Sequence, residues 1–149
     1  MMNKVLVYIK KVLCDLYYAY YVILENLYKV KLAWEPIVSV PGTISILLLF
    51  PLTELIDILC LYWAKRVLTV TEGTVLAALI FIGLYWLSTH YYSSIEISIE
   101  RRFRKDSIYR KVLYGIIAIV VSGIIIYFHS TLLDIYLEMY KEIVKRPFD

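Results

Sequence analysis

Two acidic residues at helical spacing are the first candidates for chemistry in this sequence. Glu54 and Asp57 lie three residues apart, which places both carboxylates on one face of a helix. They follow an uncharged segment, residues 36–53, and a carboxylate inside a bilayer costs about 3 kcal/mol on insertion scales. Such residues face a polar lumen, a cation pathway or a basic partner, for which Lys65 and Arg66 are the nearest candidates. The alternative is that both acids lie at headgroup level.

A histidine adds a titratable group to a second apolar segment. His129 lies in the run 112–133, which contains no charged residue. An imidazole titrates near neutral pH and can hydrogen-bond across helices, although it can equally be a packing residue. The sequence therefore predicts three intramembrane polar residues as pore candidates, namely Glu54, Asp57 and His129.

A basic cluster separates two of the apolar segments. Its members are Arg101, Arg102, Arg104, Lys105, Arg110 and Lys111. Each Lys or Arg near a membrane attracts anionic lipid headgroups by about 1 kcal/mol, and such a cluster can also dock an acidic partner protein. A further interpretation is that these charges only set the orientation of the chain. Because only Phe103 and Tyr109 are aromatic within residues 101–111 and no recognisable nucleic-acid-binding fold surrounds them, we do not expect nucleic-acid binding.

The elements that would position these residues are long apolar helices. Of the 149 residues 61% are hydrophobic and only 19% are charged, which is unlike a soluble domain. Crossing a bilayer takes about 20 helical residues, and the runs 73–95 and 112–133 carry no charge. A third apolar segment runs from residue 36 to Trp63, and its Pro51 predicts a kink. We therefore predict an all-α membrane protein with three transmembrane helices.

Amphipathic segments precede and follow the three spans. In residues 1–35 apolar side chains recur at helical spacing between lysines, and tyrosines from Tyr17 to Tyr28 are typical of the headgroup boundary. This predicts an amphipathic helix on the membrane surface or against the bundle, retained because no small-residue cleavage site follows it. The last span continues without proline and extends beyond the bilayer. The predicted organisation is an interfacial helix (1–35), a three-span bundle (36–133) with a basic connector (91–111), and a helical tail (134–149).

Small residues within the spans predict close helix packing. They are Gly73, Ala77, Gly115, Ala118, Ser122 and Gly123. Residues of this size let helix backbones approach each other. The pattern leaves open whether the packing occurs within one chain or in a homo-oligomer.

Basic residues predict the orientation. Lys and Arg number eleven in the amino-terminal segment and second connector together, against five in the first turn and the tail. The positive-inside rule then places the amino terminus in the cytoplasm and the carboxyl terminus outside, in an inner (cytoplasmic) membrane.

No sequence motif predicts an enzyme. The chain has no glycine-rich phosphate loop, His-Glu-x-x-His, Cys-x-x-Cys or Gly-x-Ser-x-Gly. Its two cysteines, Cys14 and Cys60, suggest neither a disulfide framework nor a metal site. We therefore expect no catalytic residues, no metal and no cofactor.

The order of features resembles a family of small three-span membrane proteins of the Bacteroidota. The residues that carry the resemblance are Tyr17-Tyr18-Ala19-Tyr20-Tyr21, Trp34, Tyr85-Trp86 and Arg101-Arg102-Phe103 ahead of Val112. The resemblance implies the three-span architecture and transfers no activity. The Gly-Gly and Trp-Asp pairs expected near the last span in that family do not occur here.

Three functions are compatible with these features. The leading hypothesis is a self-associating, pore-forming or membrane-perturbing effector of a bacterial conflict system such as phage defence. The alternative is a non-catalytic accessory or immunity subunit that binds a larger partner. A small transporter would need a discontinuous helix near the midplane, for which Pro41, Gly42 and Pro51 are the candidates.

Overall fold

Four helices and one π-helical turn make up the computed structural model of the protein, which describes residues 2–29 and 39–145. They are α1 (Met2–Lys29), α2 (Val40–Leu59) with the π-helical turn Cys60–Ala64, α3 (Val70–Lys105) and α4 (Ile108–Lys145). The predicted all-α class is confirmed. Three helices are long and apolar enough to cross a membrane: α2 with its π-helical turn, α3 and α4. The predicted boundary at residues 35 and 36, Trp34 and the last four residues of the tail lie outside the described residues.

Each of these three helices begins with a hydroxyl side chain as its amino-terminal cap. Ser39 Oγ accepts a hydrogen bond from Gly42 N at 3.1 Å, and Ser107 Oγ accepts one from Arg110 N at 3.5 Å. At α3, Glu72 N donates to Thr69 Oγ1 at 3.2 Å while Thr69 N donates to Glu72 Oε2 at 2.9 Å. This reciprocal pair is a capping box, which satisfies amides that the helix itself leaves without partners.

The helix α2 continues through Pro51, and its irregularity comes later. Beside the proline, the Thr53 hydroxyl donates to the carbonyls of Leu49 at 3.1 Å and Phe50 at 2.8 Å. The chain widens into the π-helical turn only at Cys60, and Lys65 then ends it with a positive φ of 52°. The described helix is therefore continuous over the segment where a transporter would need a break.

The basic connector is itself largely helical. Helix α3 runs 36 residues, about 54 Å, and leaves only Asp106 and Ser107 outside helical structure before α4 begins. Helix α4 has 38 residues and is about 57 Å long, so both helices exceed a hydrocarbon core of about 30 Å. The prediction that the last helix extends beyond the bilayer is confirmed.

The described chain packs as two compact units. The first unit contains the described residues of 1–44 and 86–121, and the second those of 45–85 and 122–149. The core of the first unit combines tyrosines of α1 with apolar side chains of α3 and α4. Its buried residues include Tyr17, Tyr18, Tyr20, Val22, Ile99, Phe103 and Ala118.

Helix α1 has a covered part, which packs on other helices, and an uncovered part. The sequence predicted that this helix lies either on the membrane surface or against the bundle. Residues 17–20 are buried within the first unit, with Tyr17 and Tyr18 hydrogen-bonded to α3 and to the turn after it. These tyrosines therefore pack on protein, where their hydroxyls find partners. Apolar residues nearer the amino terminus, from Val7 to Leu13, remain exposed.

In the second unit α2 and α4 run parallel. The Phe50 and His129 rings are 5.6 Å apart, and seven residues further along both helices Asp57 interacts electrostatically with Tyr136. Leu61 of the π-helical turn and Leu132 of α4 are buried. Residue numbers rise in the same direction along both helices, so the chain must return between the end of α2 and the start of α4. Helix α3 provides this return.

The predicted small-residue surface splits between the two units. A methyl group at Gly115 would lie 3.9 Å from Ile23 Cγ1, and Ala118 is fully buried, so this part packs against α1 in the first unit. A methyl group at Gly73 or at Gly123 would meet no described atom within 4 Å apart from its chain neighbours and its own helix backbone. Ala77 and Ser122 are half-buried.

Candidate functional site

The three polar residues predicted from the apolar segments come together in the second unit. Glu54 interacts electrostatically with both His129 and Asp57, although His129 lies on a different helix. Tyr136 follows His129 by seven residues in α4, about two helical turns. It interacts electrostatically with Asp57 and Glu54. All four side chains are half-buried. We refer to Glu54, Asp57, His129 and Tyr136 as the polar cluster.

One nitrogen of the polar cluster has no partner. Nδ1 of His129 is buried, and no group in the described part of the chain forms a hydrogen bond with it. The imidazole lies beside the Phe50 ring, so one of its neighbours is apolar. A buried polar atom without a partner costs roughly 1–3 kcal/mol, which favours the arrival of water, an ion or a group from another chain.

The basic partners considered for Glu54 and Asp57 are engaged elsewhere. Arg66 Nη1 lies 2.9 Å from Glu72 Oε1, and Lys65 Nζ lies 5.3 Å from the centre of the Tyr62 ring. Among the described residues neither acid of the polar cluster forms an ion pair. Among the described residues His129 is the favourable electrostatic partner of Glu54, and none acts on Asp57 in that way.

A second candidate region is a basic cavity in the first unit, at the turn between α3 and α4. Its volume is about 460 Å³. It is lined by Ser98, Arg101, Arg102, Lys105, Asp106 and Arg110. Four of the six predicted basic residues thus share one concave surface.

The other two basic residues lie away from this cavity lining. Arg104 is largely exposed, and its Nη2 is 3.8 Å from Glu100 Oε2 one turn earlier. Lys111 Nζ lies 3.9 Å from the centre of the Phe103 ring, a cation–π contact. The basic cluster of the sequence is therefore two groups with different surroundings.

Arg102 links α1 to α3 and α4. Its Nη1 lies 2.6 Å from Asp15 Oδ1, its Nε lies 3.6 Å from Asp106 Oδ2, and its Nη2 donates to the Tyr114 hydroxyl. The guanidinium also stacks over the Tyr18 ring, 4.3 Å from its centre. We refer to Asp15, Tyr18, Arg102, Asp106 and Tyr114 as the Arg102 junction.

The Arg102 junction shifts the pKa values of two of its members in opposite directions. Burial, followed by the hydrogen bond that Tyr18 donates to Asp106 Oδ2 at 2.8 Å, raises the pKa of the Tyr18 hydroxyl. Burial also tends to raise the pKa of Asp106, but hydrogen bonds from Tyr18 and Arg110 and the charge of Arg102 more than offset it and hold that pKa below its usual value. Near neutral pH the junction thus contains a neutral tyrosine and an ionised aspartate.

Several residues of both regions carry no local sequence signal. Asp15 is separated from Arg102 by 87 positions, and Tyr18 from Asp106 by 88. Tyr136 is one of several apolar residues that recur at helical spacing after residue 133. Ser98 could have been found by its spacing, since it precedes Arg101 and Lys105 by three and seven residues and so shares their helix face.

Metal binding has no support within the described ranges, where no three His, Cys, Asp or Glu side chains are grouped to hold an ion. Neither a protein-family model, nor a curated protein, nor a solved structure matches this chain. The resemblance to the three-span family therefore stays a prediction, and function is inferred from the geometry of the two regions.

Proposed function

We propose that the protein is a non-enzymatic, self-associating membrane pore with a polar pathway lined by Glu54, Asp57 and His129. The observation that carries the proposal is the polar cluster. Two transmembrane helices contribute ionisable side chains to one place, although separate exposure of each to lipid would be costly. Two acids and an imidazole are groups that line paths for cations or protons.

We infer self-association from how little of the spans is buried within one chain. In their three most apolar windows 17%, 0% and 6% of the residues are buried. Two helices that contribute a half-buried cluster do not enclose a lumen, whereas several copies arranged around such clusters do. Gly123 is exposed on α4 with open space beside it, which suits close approach of another helix.

A second candidate function, the accessory or immunity subunit, is favoured by the uncovered part of α1. Val7 and Tyr8 are each 68% exposed, and apolar side chains continue to Leu13. This surface suits a larger partner protein as well as a bilayer. The role in a bacterial conflict system stays a prediction, and the neighbouring genes would test it: a nuclease, cyclase or sensor favours the effector, and a toxin or respiratory operon favours the subunit.

The test of the pore is ion flux from liposomes at matched protein incorporation. We expect the wild type to release K⁺, and the double variant Glu54→Gln with Asp57→Asn to release it more slowly by on the order of tenfold, because the variant keeps side-chain size but loses both charges. The matched control is Glu138→Gln with Glu142→Gln, two exposed acids of α4. This control should conduct like the wild type.

Each result of the flux assay has a defined meaning. If both double variants lose K⁺ flux equally, the cause is the change in net charge and not the polar cluster. Replacing both acids by Leu should not impair insertion if they line a lumen, whereas a change of insertion or stability with unchanged flux would place them as anchors. A wild-type protein that never conducts, alone or with the products of neighbouring genes, would reject the pore and leave the subunit.

A further inference from the structure

The basic cavity has the charge and size of an anion site. Four cationic side chains and one carboxylate line it, together with the hydroxyl group of Ser98. Its volume of about 460 Å³ lies in the range of roughly 300–1,000 Å³ typical of ligand clefts. It belongs to the first unit, whereas the polar cluster belongs to the second.

One face of α3 lines the cavity with two basic residues, Arg101 and Lys105. Ser98, Arg101 and Lys105 lie on one helix face, and all three are exposed. Among the described residues Arg101 and Lys105 have no acidic partner. Two like charges one turn apart repel each other, so an anion held between them relieves the repulsion.

The other two cations, Arg102 and Arg110, are paired with carboxylates. Arg102 is held by Asp15 at 2.6 Å, and Arg110 Nη1 lies 3.4 Å from Asp106 Oδ1. Because Asp106 is ionised and would repel an anion, the binding position is at the edge formed by Arg101 and Lys105.

The position of the cavity along the chain identifies the source of the anion. The uncharged run of α4 begins at residue 112, two residues after Arg110, and that of α3 ends at residue 95, six residues before Arg101. These intervals correspond to about 3 and 9 Å along a helix, against a headgroup layer of roughly 5–8 Å per leaflet. We propose that the cavity binds the phosphate of an anionic lipid headgroup, with Arg101 and Lys105 as the principal cations and Ser98 as a hydroxyl donor.

The experiment measures lipid retained by the purified full-length protein in phosphatidylcholine nanodiscs that contain a graded fraction of phosphatidylglycerol. Native mass spectrometry counts the lipids that remain bound. We expect the wild type to retain phosphatidylglycerol in preference to phosphatidylcholine. The variant Arg101→Gln with Lys105→Gln should lower that preference by about thirtyfold, from the usual attraction of two basic residues.

Two further variants make the result specific. Arg104→Gln with Lys111→Gln removes the same charge from the same connector but outside the cavity, and it should leave the preference nearly unchanged. Arg101→Lys with Lys105→Arg keeps both charges and should retain the lipid. Circular dichroism on every variant checks that the helices are intact, which is expected because Arg101 and Lys105 are exposed.

Three outcomes would overturn the proposal. Equal loss in the two charge-removing variants would show diffuse attraction to the bilayer and no site. Equal retention of phosphatidylcholine and phosphatidylglycerol would show that the phosphate of an anionic lipid is not selected. Inorganic phosphate that binds the wild type in nanodiscs of phosphatidylcholine alone, and that displaces phosphatidylglycerol from it in mixed nanodiscs, would identify a free phosphate as the ligand.

Discussion

Replacing Tyr18 by Phe removes one hydroxyl group from the contact that holds α1 in the first unit. Tyr18 is fully buried, and its hydroxyl donates to the Asp106 carboxylate at 2.8 Å. Phe keeps the ring, and so keeps the stacking against Arg102 and the edge contact with Tyr114, whose ring centre is 4.9 Å away. Asp106 retains Arg102 and Arg110 as partners. The substitution therefore isolates a single charge-assisted hydrogen bond.

The expected magnitude follows from the charge of the acceptor. A hydrogen bond to a charged group contributes about 1.5–3 kcal/mol, which raises the opening equilibrium of α1 by roughly 12- to 140-fold. Tyr17→Phe is the matched control, because Tyr17 is also buried but shares its hydrogen bond with the neutral Ser88 Oγ at 2.5 Å. A neutral hydrogen bond contributes about 0.5–1.5 kcal/mol, or roughly 2- to 12-fold.

Hydrogen exchange of the α1 backbone amides, followed by mass spectrometry in detergent micelles, measures these openings directly. Asp106→Asn completes a double-mutant cycle with Tyr18→Phe and should show that the two substitutions are not additive. Additive effects, or equal acceleration by Tyr17→Phe and Tyr18→Phe, would refute the assignment of this hydrogen bond as a main contact of α1.

Three further predictions concern pH, packing and topology. Because the pKa of Asp106 is lowered in the folded protein, its contribution to stability is present above the unfolded value and lost in acid below about pH 4. The raised pKa of Tyr18 makes docking weaken above about pH 10. The protection of the α1 amides, which is their exchange rate relative to the intrinsic rate at each pH, should therefore show a plateau between these limits. Gly115→Leu should destabilise the first unit by about 1–3 kcal/mol through overpacking against Ile23, while Gly115→Ala should be tolerated and Gly123→Leu should leave monomer unfolding in detergent unchanged. Reporter fusions should alternate between the cytoplasmic and outer sides in the order Lys31, Arg66, Lys105 and Asp149. A cytoplasmic signal at both Lys31 and Asp149 would contradict three crossings.

The spans were predictable because a bilayer imposes a local rule. About 20 residues without charge must follow one another, and the runs 73–95 and 112–133 satisfy this without any knowledge of neighbours. The continuation of α3 to Lys105 was harder to see, because charged residues at the end of a helix look like a connector in a hydropathy pattern. The capping box of Thr69 and Glu72 is also local and can be found by its spacing.

The contacts of α1 were not predictable in the same way. Tyrosine is amphipathic, so Tyr17 and Tyr18 are equally typical of a headgroup boundary and of a protein core with hydroxyl partners. Their partners, Ser88 and Asp106, follow 71 and 88 positions later. Likewise, Glu54 and His129 were each recognisable as unusual within an apolar segment, but only the parallel packing of α2 and α4 brings them together.

The hydroxyl caps of Ser39, Thr69 and Ser107 bear on how the chain is made. Each cap satisfies the first amides of its helix with a side chain no more than three residues away, so a span needs no neighbouring helix to be complete at that end. Such helices can enter a bilayer one at a time during synthesis. Helix α1 cannot dock in the same order, because Arg102 and Asp106 are synthesised long after it. During biogenesis the amino-terminal segment must therefore wait, undocked, until the turn between the last two spans has emerged.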